Sequence, residues 1–264
     1  MGKLPRTPTI YYPDVSKVLL ENFDAMYVSA PTPWLLYAED FLKAGKIVVY
    51  RSFGYPPYTW GKFVDLDVLF KYDKFHVVTC VPIDQKQYQR SYTAVTMLNR
   101  ELIEPLPTAP SRYTFTVFPD ISPTIKKSVM AHMNDMQIPW TLHDYSKDAW
   151  KSHSEINKLF AECFLYLDLN NNVRYTALEA ILHGKVAVIK DNYMLSYMRD
   201  TGLTIEDKFW YTNYESDLRE TVLKLYLDDR FRNKILEAQK VWLNGTLDSA
   251  VNVWCKVLEV KDDN

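Results

Sequence analysis

Residues 164–190 read FLYLDLNNNVRYTALEAILHGKVAVIK, and this stretch decides the fold. It begins with an apolar run and continues with a polar loop at 168–172, DLNNN. A helical pattern begins near Tyr175 and ends at Gly184, and a second apolar, β-branched run follows at once. Nearly all-apolar strands are typical of parallel sheets, because these sheets are buried on both faces. The stretch therefore predicts a strand, a helix and a second, parallel strand.

The helix in this stretch is amphipathic. Thr176, Glu179 and His183 recur at i, i+3 and i+7 and form one polar stripe. In open α/β sheets, ligands bind at the carboxyl ends of strands, and a helix N-terminus offers free N–H groups suited to phosphate. If the stripe faces such a site, Glu179 can accept hydrogen bonds from two adjacent hydroxyls. A solvated helix face is the alternative. The apolar face is formed by Ala177, Leu178, Ile181 and Leu182.

The same alternation of apolar runs and helical patterns continues along the chain and predicts an α/β fold. Further strands are predicted at 23–28, 46–50, 75–80, 113–118 and 139–142. Helices are predicted at 34–44, 85–102, 122–136 and 154–162, then at 216–227, 229–243 and 247–259. The proline-rich segment EPLPTAPS at 104–111 cannot continue a helix. We interpret it as a linker between two halves, with a surface loop as the alternative.

Composition excludes several classes of protein. The 264 residues include 31 basic and 33 acidic ones, which does not indicate a uniformly basic nucleic-acid binder. The seven glycines are too scattered for a GxGxxG or phosphate-loop motif. No HxH or HExxH pattern occurs, so we expect no protein-bound metal. The three cysteines lack metal-ligand spacing and are expected to be free thiols: Cys80, Cys163 and Cys255.

The chain shows no targeting or membrane-spanning pattern. Its first residues lack the apolar core of a signal peptide. No apolar run approaches the roughly 20 residues that a membrane span needs. We therefore expect a cytoplasmic protein without a membrane span, whose oligomeric state the sequence does not indicate.

The pattern TALEAILHGKVAVI at 176–189 resembles the nucleotide-binding signature of GT-B glycosyltransferases, in which a helix of the form xxLEAxxxGxPV follows a short loop. The later segment FWYTNYESDLRETVLKLYLDDRFRNKILEAQ is similar to the ending of many such enzymes. The resemblance implies two Rossmann-like domains of GT-B type, with a reduced N-terminal domain and a helical C-terminus. Residues 1–110 would form an acceptor-side domain, and residues 111–264 a nucleotide-sugar-binding domain.

The resemblance also implies a nucleoside-diphosphate sugar as donor, with a UDP-sugar such as UDP-glucose as the first expectation, and no bound cofactor. Glu179 would bind the ribose hydroxyls, and the turn of Arg174, Tyr175 and Thr176 would face the diphosphate. Asn171 lies eight residues before Glu179, where many retaining members have an acid. Asn171 can still hydrogen-bond a sugar hydroxyl, but the stereochemistry and the catalytic base are left undetermined.

The N-terminal half resembles the compact DNA glucosyltransferases of phages, where a strand and a proline-containing loop, here KIVVYRSFGYPPYTW at 46–60, border the acceptor site. Candidates to contact an acceptor are Arg51, Tyr55, Asp120 and His143. Three hypotheses stay open. The protein transfers a hexose to a hydroxymethylated base of phage DNA in a host cytoplasm; it glycosylates a glycan or polysaccharide; or it is a non-catalytic relative that binds a nucleotide or DNA.

Overall fold

The computed structural model describes residues 11–29, 33–52, 66–79, 90–94, 98, 103, 113–118, 127, 130–131, 133–144, 152–168, 175–190, 210–211 and 216–259. The chain forms two compact units. Unit 1 combines Met1–Met97 with Thr246–Asn264, and unit 2 is Leu98–Gly245. The domain boundary at residue 110 stays a prediction, since the proline-rich segment lies outside the described residues.

Unit 1 is built on a four-stranded parallel sheet with the order β1-β2-β3-β4. Its strands are β1 (Ala25–Ser29), β2 (Ile47–Ser52), β3 (Phe75–Thr79) and β4 (Ser91–Thr93). Its helices are α1 (Pro13–Asn22), α2 (Ala38–Lys43), which continues from a 3-10 helix at Pro33–Tyr37, and α3 (Leu66–Leu69). All five residues of β3 are buried, as expected of an inner parallel strand.

Unit 2 is built on a five-stranded sheet, also parallel throughout, with the order β6-β5-β7-β8-β9. Its strands are β5 (Tyr113–Phe118), β6 (Trp140–Asp144), β7 (Cys163–Asp168), β8 (Val186–Lys190) and β9 (Trp210–Tyr211). Its helices are α4 (His153–Glu162), α5 (Tyr175–Leu182), α6 (Ser216–Leu227) and the long α7 (Asp229–Val257), whose last residues belong to unit 1. The backbone is also helical at 127, 130–131 and 133–135.

The strands follow from composition, and the helix ends follow from local hydrogen bonds. β7 has the sequence CFLYLD, and all six residues are buried. α4 begins with a capping box, in which Ser152 accepts from the backbone N–H of Glu155 and the Glu155 carboxylate accepts from that of Ser152.

The seven predicted strands are confirmed within about two residues at each end, which is the usual spread of boundary assignments.

The predicted helix at 85–102 is wrong where the structure describes it. Ser91, Tyr92 and Thr93 form β4, which pairs with the outer edge of β3. The chain reaches this strand through Arg90, whose φ of 61° belongs to the left-handed region. Tertiary pairing with an exposed strand edge outweighs weak helical periodicity here, and Tyr and Thr both favour strands.

The two predicted C-terminal helices, 229–243 and 247–259, are one continuous helix, α7. Gly245 does not adopt a positive φ, and there is open space where the Cβ of a larger residue would lie. Glycine inside a helix costs only about 1 kcal/mol. Continuous burial on both sides of it, at Leu243 and Leu247, offsets that cost. Neither α7 nor another helix in the described part of the chain is long and apolar enough to cross a membrane.

Helix α5 ends in a glycine turn that leads directly into β8. Gly184 has a φ of 79°. Its N–H donates to the carbonyl of Ile181 at 3.0 Å, and the N–H of Lys185 donates to that of Ala180 at 2.8 Å. This is a Schellman motif, which satisfies the last carbonyls of the helix and reverses the chain.

Helix α2 ends in the same way in unit 1. Gly45 has a φ of 72°, and the N–H groups of Gly45 and Lys46 donate to Leu42 and Phe41 at 3.0 and 2.9 Å. In both units, helix, Gly-Lys and strand follow one another without insertion. The Gly-Lys turn therefore connects helix and strand directly in both units.

Gln239 of α7 completes the outer edge of β8. In the part of the chain that the structure describes, β9 pairs with Ile189 and Lys190 of β8. Beside Ala187, the Gln239 side chain takes the place of a strand residue: its Nε2 donates to the Ala187 carbonyl at 2.6 Å, and its Oε1 accepts from the Ala187 N–H at 3.0 Å. Gln239 is fully buried, so both groups would otherwise lose their hydrogen bonds to water.

Gly184→Ala and Gly245→Ala are predicted to change stability in opposite directions. Gly184→Ala places a Cβ on a left-handed residue and should lower the free energy of unfolding by about 1–2 kcal/mol. Gly245→Ala meets open space in a helix and should raise it by about 0.5–1 kcal/mol. Urea unfolding monitored by circular dichroism measures both, and changes of the same sign would contradict the two assigned conformations.

Gln239→Met keeps the length of the side chain but removes its hydrogen bonds to Ala187. We expect the free energy of unfolding to fall by about 2–4 kcal/mol, since each buried group left unpaired costs about 1–3 kcal/mol. The control is Asn233→Met, at an exposed position of the same helix. Equal midpoints for the two variants in urea unfolding would show that the Gln239 bridge does not stabilise β8.

Candidate functional site

The carboxyl ends of the unit 2 strands lie at one edge of the sheet, because all its pairings are parallel. In register, Phe118 is opposite Asp144, and Asp168 is opposite Ile189. β8 ends one residue later, at Lys190. Three of the strands end in a charged residue, which is Asp144 in β6, Asp168 in β7 and Lys190 in β8. A ligand site is expected at such an edge rather than along the buried faces.

Helix α5 begins at this edge and runs away from it. It follows the carboxyl end of β7 and returns the chain to the amino end of β8 through Gly184. Its first backbone N–H groups, which begin at Tyr175, therefore point toward the edge that carries the polar strand ends. Unpaired N–H groups and the partial positive charge of the helix terminus favour an anionic group there.

Half of the residues of α5 pack in the core. The side chains of Ala177, Leu178, Ala180 and Ile181 are buried. Thr176 and Glu179 are only partly buried, and they lie one turn apart near the start of the helix. The structure thus brings a hydroxyl and a carboxylate together on one partly accessible side of α5, within its first five residues. Both belong to the predicted donor-site residues, and their role in binding a donor stays a prediction.

His183 does not share that environment, which corrects the interpretation of the polar stripe. It is 1% exposed and its Nε2 lies 3.1 Å from Asn157 Oδ1 on α4. Its ring also packs on Phe160, with 5.2 Å between the centroids. The stripe is therefore accessible only at its N-terminal end, and His183 joins α5 to α4.

Asp168 closes β7 and is fully buried. A buried carboxylate is stable only when hydrogen-bonded or paired, and Asp168 does take part in such an interaction. The sequence assigned Asp168 to a polar loop. Its place directly after five buried strand residues was the signal that it belongs to the strand.

Cys163 is the first residue of β7, and Lys185 directly precedes β8. Both therefore lie at the opposite, amino edge of the sheet. Both are buried. Burial lowers the pKa of the Lys185 ammonium and raises the pKa of the Cys163 thiol to about 12. A protonated, buried thiol is a poor nucleophile, so Cys163 acts as a small core residue.

Several predicted site residues lie outside the described residues: Asn171, Arg174, Tyr55 and Asp120. Arg51 and His143 are described, and both are buried. Arg51 is 3% exposed at the end of β2, with its guanidinium carbon 6.0 Å from the centre of the Trp254 ring. His143 is 1% exposed in β6. Neither is an open surface side chain, and contact of either with an acceptor stays a prediction.

Within the described ranges, no three His, Cys, Asp or Glu side chains are grouped so that they could hold a metal ion. Thr176 and Glu179 can hydrogen-bond hydroxyls, and the first backbone N–H groups of α5 can stabilise an anion.

No protein-family model matches the chain, and no curated protein sequence does. Solved structures do match. HepE from Anabaena, in complex with UDP-glucose, has a TM-score of 0.63 at 14% identity over 93% of this chain and 80% of that one. A glycosyltransferase from Rickettsia africae has a TM-score of 0.57 at 11% identity, over 99% and 85%. A sucrose-phosphate synthase from Thermosynechococcus elongatus has 0.56 at 8%, over 98% and 83%.

At such low identities these matches show the fold. The chain has an α/β fold shared with glycosyltransferases of the GT-B type, as the pattern TALEAILHGKVAVI indicated. The finer resemblance to phage DNA glucosyltransferases stays a prediction.

The contact between His183 and Asn157 is predicted to be structural. His183→Ala and Asn157→Ala should each lower the free energy of unfolding, and the double variant should lose less than their sum, with a coupling of about 0.5–1.5 kcal/mol for one hydrogen bond. A double-mutant cycle in urea measures this coupling. Strict additivity would show that the two side chains do not interact, and that His183 is available for another role.

Proposed function

We propose that this chain is a glycosyltransferase that transfers a sugar from a UDP-sugar to an acceptor hydroxyl. One observation carries the proposal. In unit 2, the partly buried Thr176 and Glu179 lie one turn apart within the first five residues of α5, the helix that begins at the carboxyl edge of a parallel sheet. The shared fold supports it, since HepE and the Rickettsia africae glycosyltransferase have that fold, and HepE was solved with UDP-glucose.

Each part of the nucleotide has a matching group in this arrangement. The Glu179 carboxylate has two acceptor oxygens, which suit the two adjacent hydroxyls of a ribose. The first N–H groups of α5, from Tyr175 onward, and the Thr176 hydroxyl suit the diphosphate. Arg174 would add a guanidinium to the same anion, and Asn171 would hydrogen-bond the sugar.

The reaction proposed here is a substitution at the anomeric carbon. The acceptor oxygen forms a bond to that carbon while the bond to the diphosphate oxygen breaks, and its electron pair leaves with UDP. The acceptor proton passes to a base that the described residues do not identify. Hydrogen-bond donors that are already in place near the developing negative charge of the diphosphate lower the activation barrier most, because they need not reorganise during the reaction. The α5 N-terminus is the described group that fits this role.

We propose that the acceptor binds to the N-terminal half. Residues 1–110 would then form the acceptor-side domain and residues 111–264 the donor domain. Arg51 and Tyr55 are the candidate contacts. A glycan hydroxyl is the acceptor we favour, because the chain carries a net charge of −2 and DNA binding relies on neutralising many phosphates. The hydroxymethylated DNA base has no support from the described residues.

A thermal-shift series with UDP, UDP-glucose, GDP and GDP-mannose tests the donor site. A ligand at 100 times its Kd stabilises the folded state by about 2.7 kcal/mol, which raises Tm by several degrees. We expect UDP and UDP-glucose to do this for the wild type. Glu179→Gln should weaken their binding by roughly 10- to 100-fold, since a hydrogen bond to a charged group contributes about 1.5–3 kcal/mol.

The matched control is Glu220→Gln, an exposed carboxylate on α6 that should respond like the wild type. A Tm that no nucleotide raises would refute the donor site, and an unchanged response of Glu179→Gln would refute the ribose assignment. Release of UDP from UDP-glucose in the presence of oligosaccharides separates an enzyme from a non-catalytic nucleotide binder.

A further inference from the structure

A groove runs between α1 and α2 on unit 1, apart from the residues assigned to the donor. Its volume is about 550 Å³, which lies within the range of about 300–1,000 Å³ typical of ligand pockets. All of its walls come from residues 11–44. The residues that matter here are Tyr11, Ser16, Lys17, Leu20, Asp40 and Lys43.

Two hydroxyls meet on one carboxylate in this groove. The Tyr11 hydroxyl donates to Asp40 Oδ2 at 2.7 Å, and the Ser16 hydroxyl donates to the same oxygen. Among the described residues, no hydrogen bond reaches Asp40 Oδ1. Asp40 therefore already binds a pair of hydroxyls, as it would bind two hydroxyls of a sugar, and it keeps a second acceptor oxygen.

Asp40 occupies in unit 1 the position that Glu179 occupies in unit 2. Each acid lies five residues before the glycine of a Gly-Lys turn, on the helix that follows a parallel strand. The segments AEDFLKAGKIVV and ALEAILHGKVAV align there without a gap. This comparison rests on the proposed role of Glu179, whereas the groove and its hydroxyl pair do not depend on it.

The charges around the groove favour a neutral ligand. Lys17 lies 4.0 Å from Glu21, and Lys43 lies 3.0 Å from Glu39, so each ammonium is balanced by a carboxylate one turn away. A phosphate-rich ligand would meet Asp40 and these glutamates without a net positive charge to offset them. A polyhydroxylated ligand needs donors and acceptors of both kinds, which these pairs provide.

The groove also offers an aromatic face and apolar surface. The Tyr11 side chain is 40% exposed, and its ring lies 5.4 Å from that of Tyr37, which supports it from one side. Leu20, Pro13 and Ala44 supply apolar contacts along the groove. Sugar rings bind through this combination, because their C–H faces pack on aromatic rings while their hydroxyls meet charged side chains.

We propose that the groove between α1 and α2 binds a neutral oligosaccharide, with Asp40 accepting hydrogen bonds from adjacent hydroxyls of one sugar and Tyr11 packing on its ring. On binding, the sugar hydroxyls replace those of Tyr11 and Ser16 on Asp40. No covalent bond is formed or broken. If the chain acts as proposed, the site would hold the glycan acceptor and raise its local concentration.

Isothermal titration with maltopentaose, cellopentaose and chitopentaose tests the site on the full chain. At least one should bind the wild type. Asp40→Asn should weaken that binding at least about tenfold, since the lost hydrogen bonds involve a charged acceptor. Asp24→Asn is the matched control, a fully exposed aspartate outside the groove, and should bind within about twofold of the wild type, the change usual for a distant surface substitution. Circular dichroism establishes that both variants are folded.

Two substitutions at Tyr11 separate the role of its ring from the role of its hydroxyl in oligosaccharide binding. Tyr11→Phe keeps the ring and removes the hydroxyl that competes for Asp40, so it should bind the oligosaccharide at least as tightly as the wild type. Tyr11→Ala should lose most of the binding. The stabilisation by UDP should be unchanged in all of these variants, so that failure here is distinguished from failure of the donor site. The proposal is overturned if no oligosaccharide binds the wild type, or if Asp40→Asn or Tyr11→Ala binds as the wild type does.

Discussion

Parallel pairing of β7 between β5 and β8 is the constraint on which the rest of unit 2 depends. Because β7 and β8 are parallel, the chain leaves the sheet at the carboxyl end of β7 and returns by a helix to the amino end of β8. That crossover brings the N-terminus of α5 to the polar edge of the sheet. The chemistry proposed for this edge follows from strand direction before any particular side chain is considered.

The Gly-Lys turn keeps this crossover short, because it connects the end of the helix directly to the next strand. A left-handed residue is needed where the helix stops and the chain reverses, and glycine adopts that conformation without strain. Unit 1 uses the same turn at Gly45 that unit 2 uses at Gly184. The two units thus share one βαβ construction and differ in the acid on the helix, Asp40 or Glu179.

Much of the fold could be predicted from the sequence because its strands are apolar, β-branched and separated by helical patterns. The predictions were wrong where tertiary contacts determine the secondary structure. β4 depends on the free edge of β3, which no local pattern reveals, and α7 continues through Gly245 because apolar residues are buried on both sides of it. Helix α1 was not predicted either, although Pro13 at its first turn is a favourable start.

The candidate site was predictable in part, for a physical reason. The spacing of Thr176, Glu179 and His183 fixes which residues share a helix face, and the structure keeps Thr176 and Glu179 accessible. Periodicity does not show what covers that face, and α4 covers it at His183 through Asn157. The burial of Arg51 and His143 likewise depends on the sheets around them, which sequence spacing does not describe.

Hydrogen–deuterium exchange with and without saturating UDP tests whether the start of α5 binds the donor, since it reports which backbone amides a ligand protects. We expect UDP to slow exchange in peptides covering residues 168–182, while peptides from β2 and β3 of unit 1 exchange as before. Binding of UDP with protection confined to unit 1, and none at the start of α5, would contradict the donor site in unit 2.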